Sequence, residues 1–532
     1  MLDRLMAARL LHAPLVAIVA CLVALPGLGA TGLSSSEGHR AIPGWTMLQS
    51  GDWLHIKLFG ATYLRKPPGM PWAIATSSSF LGMTELAARL PSALGFAAMA
   101  LLAWRMSTRW FGPPWGLIGG LAQALMPVLW PWARSAEIEL LHALAAQAAA
   151  FMVIDLLVTS ERGECDSTRD GGARSTQLHP AWNAAAIGFA GMAMFLLKGP
   201  AGVPAIVGAA AGACLALGAA RALLNSWLWL GVLLAGAGVW VAWSALAGRN
   251  ATPDAVTQDV REFLWSMDRL GAIALMPLGA LAAGLPASAC LLLCWSRSKA
   301  FEARVAQALA AGVLIALGIY MAMGVSNHRY ALPALTMLPP LAAYAASLGL
   351  RPRKEPGGNG IEAGVRGFRG AMVAAGVLAI IAGVWIPMIE RSRARHSGRE
   401  AGAALARALA DAAPTTRERD AGMPRRELVL ADALIDARPD VLWYMERERP
   451  GARARWTRGE AFRSAQPASD LYLLARTDDG APDERAMVDR LVAAGAAQVI
   501  HEGRLHDYSF VLLAAARGDS ESASGRRPAR PE

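Results

Sequence analysis

The sequence predicts a polytopic membrane bundle, mainly α-helical, that carries a small soluble α/β domain at its C-terminal end. Three observations lead there. Of 532 residues, 54% are hydrophobic and only 17% charged, and the mean hydropathy is +0.33, more apolar surface than a water-soluble core can hide. Apolar stretches long enough to cross ~30 Å of hydrocarbon recur between Ala13 and Ile389. From Ser392 onward the composition turns polar and shows short strand-like and helix-like patterns.

Taken in order, Met1–His12 carries Arg4 and Arg9 ahead of Ala13–Ala30. That run is longer than a signal-peptide core and more follow it, so it reads as an uncleaved first span. The others are Pro91–Trp104, Trp115–Trp130, Leu140–Val158, Ala181–Leu197, Ala201–Leu217, Trp227–Ala247, Leu270–Trp295, Val305–Met323, Ala331–Leu350 and Ala371–Ile389. About 11 to 13 spans are expected at this spacing. Residues 1–391 thus form a membrane domain, whose first loop, 31–90, is rich in Trp and Pro and suited to the interface. Residues 392–517 form the α/β domain. Its strands are expected at Leu428–Leu430, Asp470–Ala475, Gln498–His501 and Tyr508–Leu513, and its helices at Glu400–Ala412 and Asp483–Ala494. The tail, 518–532, is rich in Ser, Arg and Pro and is expected to be disordered.

The formal charge of +10 does not point to nucleic acid, because the basic residues cap apolar runs and do not interleave with aromatics in a patch. Lys/Arg bias sets the orientation. Arg4, Arg9, Arg105, Arg109, Arg162, Arg169, Arg174, Arg221, Arg297, Lys299, Arg304, Arg351, Arg353, Lys354, Arg366 and Arg369 fall in one set of loops, which is read as cytoplasmic. The N-terminus is then inside, and the C-terminal domain and first loop are outside. The eighteen Trp suit interface anchoring. The five Cys show no metal spacing and read as filler.

Five charged clusters fall on the outer face. Ser36-Glu37-Gly38-His39 follows the first span; Glu37 there is either a partly desolvated base for an acceptor or a solvated loop carboxylate. Arg65-Lys66-Pro67-Pro68 holds two cations on a stiff turn, suited to a lipid phosphate or to simple anchoring. Arg134, Glu137 and Glu139 open the fourth span. A pair between Arg134 and Glu137 one turn on is the plain structural reading, which leaves Glu139, one turn before His142, to be explained. Lys198-Gly199-Pro200 reads as an outer turn between two spans, and Asn327-His328-Arg329-Tyr330 opens a later one; each alone is read as a loop with a snorkelling cation. The nine His show no zinc spacing, and neither a phosphate-binding Gly-rich loop nor a Gly-x-Ser-x-Gly elbow is present.

In order and spacing these clusters resemble the GT-C glycosyltransferases that use polyprenyl-phosphate sugars, among them the lipid A aminoarabinose transferases and the protein O-mannosyltransferases. The resemblance covers roughly Leu10–Leu350 and rests on Ser36-Glu37, Ser50-Gly51-Asp52-Trp53, Arg65-Lys66-Pro67, Arg134 with Glu139, Lys198-Gly199-Pro200, and Arg329-Tyr330 with Pro333. Two positions depart from the family pattern: Ser36 stands where its catalytic Asp falls, and Arg65 where a Glu precedes Lys-Pro. The resemblance implies transfer of a sugar from a polyprenyl-phosphate donor to a lipid, glycan or protein acceptor at the outer face of a bacterial inner membrane. Glu37 is the first candidate base and Glu139 the second; Lys66, Arg65, Arg329, Lys198 and His39 are the candidate donor-phosphate ligands. No cofactor is expected beyond the lipid-linked donor, a divalent metal is compatible, and a monomer without nucleic acid is expected. Two other classes stay open: a flippase for a lipid-linked sugar, and a non-catalytic relative that binds carrier lipid.

Overall fold

Helix dominates wherever the sequence is apolar, because hydrocarbon supplies no hydrogen-bond partners and a helix satisfies its own backbone. The computed structural model describes residues 9–59, 61–63, 66–166, 180–218, 220–247, 270–294, 300–348, 360–411, 427–430, 438–448, 454–456, 471–476, 482–505 and 508–515. Arg65, most of the basic loop residues beyond Arg162 and the 518–532 tail lie outside the described residues. The chain packs as two units. One comprises Met1–Ala30, Met47–Ile56 and Leu64–Arg391, the other Thr31–Thr46, Lys57–Tyr63 and Ser392–Glu532.

In the first unit, α1 (His12–Ala24) is followed, after the first loop with α2 (Gly38–Ser50), by α3 (Gly69–Leu81), α4 (Glu85–Phe111) and α5 (Pro113–Ala124). Next come α6 (Glu139–Asp166), α7 (Pro180–Lys198), α8 (Val203–Leu217), α9 (Ser226–Ala247), α10 (Leu270–Ala283), α11 (Phe301–Ala322), α12 (Pro339–Leu348) and α13 (Gly360–His396). Local chemistry sets the ends. The Thr84 hydroxyl accepts the Ala87 N–H at 3.1 Å to start α4, and α4 stops at Gly112, φ +99°, with Pro113 opening α5.

The predicted helical bundle is borne out, with a different subdivision of its spans. Among the described residues five helices are long and apolar enough to cross a membrane, or up to seven if each bent pair counts as one. The difference comes from breaks that an apolar run does not reveal. The 270–293 run bends by 97° and the 328–348 run by 49°, while α1 has only 13 residues, ~20 Å of helix. The apolar stretch Pro180–Leu217 is interrupted where the sequence expects a turn: Lys198 leaves helical geometry, Gly199 takes φ +70°, and a 3-10 turn covers Gly199–Gly202.

Small residues and polar pins set the packing. Helix α7 runs antiparallel to α6, since Asn183 reaches Asp155 (3.3 Å) and Lys198 reaches Glu139 (3.0 Å). Helix α8 runs antiparallel to α11 with Gly208 and Gly212 against Gly312 and Ala308, so close that added Cβ atoms would strike backbone. Asp155, fully buried, also accepts from Arg109 Nε (2.7 Å) and Trp110 Nε1 (3.0 Å) of α4. Three helices are thereby joined around one carboxylate.

The second unit holds the α/β domain. Its strands are β3 (Glu427–Leu430), β4 (Ala454–Trp456), β5 (Leu471–Arg476), β6 (Ala497–Leu505) and β7 (Tyr508–Ala515), in the order β4-β3-β5-β7-β6, after a small hairpin of β1 (Lys57–Leu58) and β2 (Ala61–Thr62) in the first loop. The β3 strand pairs parallel with β4 and β5, while β7 is antiparallel to β5 and β6. Among the described residues its helices are α14 (Arg399–Asp411), α15 (Pro439–Glu448) and α16 (Pro482–Ala493). Four strands and two helices fall where the sequence places them; β4, only three residues long, and α15 do not announce themselves in it. The domain boundary needs one correction. The sequence puts all of 31–90 with the membrane domain, but Thr31–Thr46 and Lys57–Tyr63 pack with the C-terminal domain. Apolar Leu33, Ile42, Leu58 and Tyr63 are buried there, which a loop read as lying along the interface does not foretell.

Candidate functional site

In the first unit the break after α7 delivers Lys198 to the start of α6. Its Nζ lies 3.0 Å from Glu139 Oε1, with the two side chains only 8% and 6% exposed. The same ammonium sits 4.3 Å from the centre of the Tyr330 ring, on the 3-10 turn His328–Ala331 that Asn327 caps through the Arg329 N–H (3.0 Å). The Arg329 guanidinium lies 5.1 Å from the same ring centre and donates to the Tyr330 hydroxyl at 3.3 Å. Half-buried Arg329 is also attracted by Glu139 and Glu137. Three of the five sequence clusters therefore meet around one carboxylate and one phenol ring. His142 lies buried a turn below, beside Gly202, and its Nε2 has no hydrogen-bond partner among the described residues.

Lys66 approaches from a fourth cluster. It is half-buried at the entry to α3, three residues before Gly69, where a Cβ would stand 2.7 Å from the Leu196 carbonyl oxygen. Only Gly allows that approach, and three residues reach at most ~10 Å, so Lys66 stays near the end of α7. The Ser50–Trp53 stretch serves geometry. Gly51 turns the chain at φ +70°, Asp52 accepts the His55 N–H at 3.1 Å, and the Trp53 carbonyl accepts Trp72 Nε1 at 2.6 Å.

Arg134 has partners that the plain reading of its spacing does not name. It is buried, bonds Glu390 through Nε at 2.8 Å, and donates to the Val23, Ala24 and Pro26 carbonyls at 3.2, 3.0 and 2.8 Å. It thus satisfies the open carbonyls at the end of α1, which is a structural task. Glu390 and Asp155 escape a motif reading, although an ionisable residue within or at the end of an apolar run is itself a signal.

In the second unit Glu37 is 2% exposed. Its Oε2 accepts the Ser34 N–H at 2.9 Å and the Ser34 hydroxyl at 3.4 Å, closing a capping box at the start of the helical segment that continues as α2. His39 stacks on Tyr63 with ring centres 6.0 Å apart, and Arg40 donates to the Tyr63 hydroxyl at 3.4 Å. The solvated-loop reading of Glu37 does not hold, since its carboxylate is enclosed and oriented. Among the described residues no group of three His, Cys, Asp or Glu side chains is placed to hold a metal ion.

Chemically, the first unit offers two fixed cations facing one carboxylate and an aromatic ring, an arrangement suited to a phosphate that displaces Glu139 from Lys198. The class this fits shows in the sequence comparison: residues 65–163 match the family model of dolichyl-phosphate-mannose-protein mannosyltransferases, a segment that includes Lys66, Arg134 and Glu139. Among curated proteins none matches the chain. The fold is that of ArnT. The crystal structure of ArnT from Cupriavidus metallidurans bound to undecaprenyl phosphate superposes with TM-score 0.65 at 18% identity, covering 94% of this chain and 97% of that one. The apo form of the same protein gives TM-score 0.63 at 17% identity with the same coverage. The likeness to the GT-C transferases is therefore present in a stretch of sequence and in the fold of nearly the whole chain.

Proposed function

We propose that the chain is a glycosyltransferase that moves a sugar from a polyprenyl-phosphate donor to a lipid, glycan or protein acceptor. We place it in a bacterial inner membrane with the N-terminus cytoplasmic and the C-terminal domain periplasmic. The observation that carries the reading is the meeting of Lys198, Arg329, Tyr330 and Glu139, brought from three distant motifs to one point. A structure with the same fold holds undecaprenyl phosphate, which supports a carrier lipid as the ligand.

In the step proposed, an acceptor hydroxyl oxygen bonds to the anomeric carbon as the bond from that carbon to the phosphate oxygen breaks. The electron pair leaves with polyprenyl phosphate, and the hydroxyl proton passes to a carboxylate. Lys198 and Arg329, with Lys66 and Arg65, stabilise the charge growing on the phosphate; His39 is a further candidate for that role. Glu37 is the proposed base, since its burial and its ties to Ser34 fix where the carboxylate stands. Glu139 is the alternative, released once phosphate takes Lys198. Ser36, where the related enzymes carry Asp, favours a second reading in which the chain only binds carrier lipid.

Purified protein in liposomes with a radiolabelled polyprenyl-phosphate sugar separates the readings. Product is expected from the parent and its loss, roughly a hundredfold or more, from Glu37→Gln. Near-normal transfer by that variant removes Glu37 from the step, and binding without product in the parent favours the second reading.

A further inference from the structure

The Glu37 segment is held by the C-terminal domain. Leu33 and Tyr444 are both fully buried, and the Leu33 N–H donates to the Tyr444 hydroxyl at 2.6 Å. The next residue, Ser34, forms an isolated antiparallel bridge with Ser397 and supplies the N–H that Glu37 Oε2 accepts. On the other side of Glu37, Gly38 is pressed onto the first turn of α15. A Cβ there would stand 2.6 Å from the Asp440 nitrogen and from the Pro439 carbonyl oxygen. Gly32 likewise has no room for a Cβ, because the Ser397 and Tyr444 hydroxyls occupy that space.

The platform is itself rigid. Arg438 donates to Asp440 Oδ2 at 2.7 Å and to the His396 carbonyl at 2.8 Å, and Asp440 Oδ2 accepts the Gly398 N–H at 2.8 Å. Residues 396–398, which carry the bridge to Ser34, are thereby fixed to α15. Burial pushes the Asp440 carboxyl up, against the pull of Arg438. Tyr444 is wedged between the Trp443 ring (centres 4.8 Å apart), the Arg447 guanidinium (4.8 Å) and Gly402 of α14.

We infer that Tyr444 is a positioning residue: through Leu33, and with the Gly38 contact on α15, it fixes where the Glu37 carboxylate stands, which makes the C-terminal domain part of the transfer machinery. This rests on the reading of Glu37 as the base. A short path of bonds carries the constraint, from the Tyr444 hydroxyl to Leu33, on to Ser34, and from the Ser34 N–H to the carboxylate. Misplacement by about 1 Å is enough to cost an enzyme roughly a hundredfold in rate.

Two variants of the full-length protein approach the contact from opposite sides. Tyr444→Phe keeps the ring and removes the oxygen that Leu33 uses. Gly38→Ala puts a methyl group against Pro439 and Asp440, and Ala is the better helix former, so any loss stems from the contact and not from the helix. Both should lower kcat for transfer about tenfold or more while leaving KM for the polyprenyl-phosphate donor within twofold. Amide hydrogen exchange at residues 33–38 should quicken in both, with exchange in the β5–β7 sheet unchanged. Unchanged exchange at 33–38, or quickened exchange with parental kcat, overturns the positioning role. A fall in kcat with a matching rise in KM overturns it as well. If the parent transfers no sugar, the functional reading fails, and the assignment to catalysis falls with it.

Discussion

Arg134 shows how a motif residue can be structural. Buried at 1% exposure, it serves one carboxylate and three carbonyls at once, so its removal takes one bond from Glu390 and three from the end of α1 together. Arg134→Ala should cost about 3–5 kcal/mol, read as a fall in the thermal unfolding temperature in detergent; parental stability would contradict the assignment. Lys198 carries the opposite expectation. It is held by Glu139 and stacked on Tyr330, and Lys198→Met should weaken binding of polyprenyl phosphate by roughly 10- to 100-fold, the loss of one charge-assisted hydrogen bond. Titration of the lipid followed by tryptophan fluorescence checks this, and unchanged affinity would remove Lys198 from the phosphate site. The sequence names Lys198, Arg329 and Glu139 singly, from charge at span ends. Their convergence on the Tyr330 ring is not legible there, because it depends on where the breaks at Lys198 and Asn327 fall in space.

Helices buried on most sides have no polar face, so their sequences say that they are apolar and little about which neighbour they touch. Glycine is the exception. Gly208 and Gly212 mark the seam between α8 and α11, where backbones meet with no room for a side chain. Gly212→Leu should separate these helices and lower the unfolding temperature, by more than the same change at Gly279, which has nothing within 4 Å of an added Cβ; equal effects would contradict the packing. The bends after Ala283 and Leu335 were similarly hidden, since apolar composition runs straight across them. In the polar domain the alternation of apolar and polar residues is plain; there β3 and β5 were legible to within a residue, while β6 and β7 run four and two residues past the expected ends.

At the scale of the whole molecule, the instructive feature is that two stretches of the first loop, Thr31–Thr46 and Lys57–Tyr63, fold with residues nearly four hundred positions later. Contacts such as Leu33 with Tyr444 bury side chains that a linear reading gives to a surface loop. A chain ending at Arg391 should therefore keep the apolar helices of the first unit, measured by circular dichroism, yet lose transfer. Retained transfer would show that Glu37 needs no support from the C-terminal domain. In the proposed reaction the bond between a sugar and a polyprenyl phosphate breaks and the sugar passes to a hydroxyl. Stoichiometric product analysis in liposomes tests it most directly. One polyprenyl phosphate is expected for each sugar found on the acceptor, both abolished together in Glu37→Gln. A parent protein that binds the labelled donor but releases neither product would contradict it.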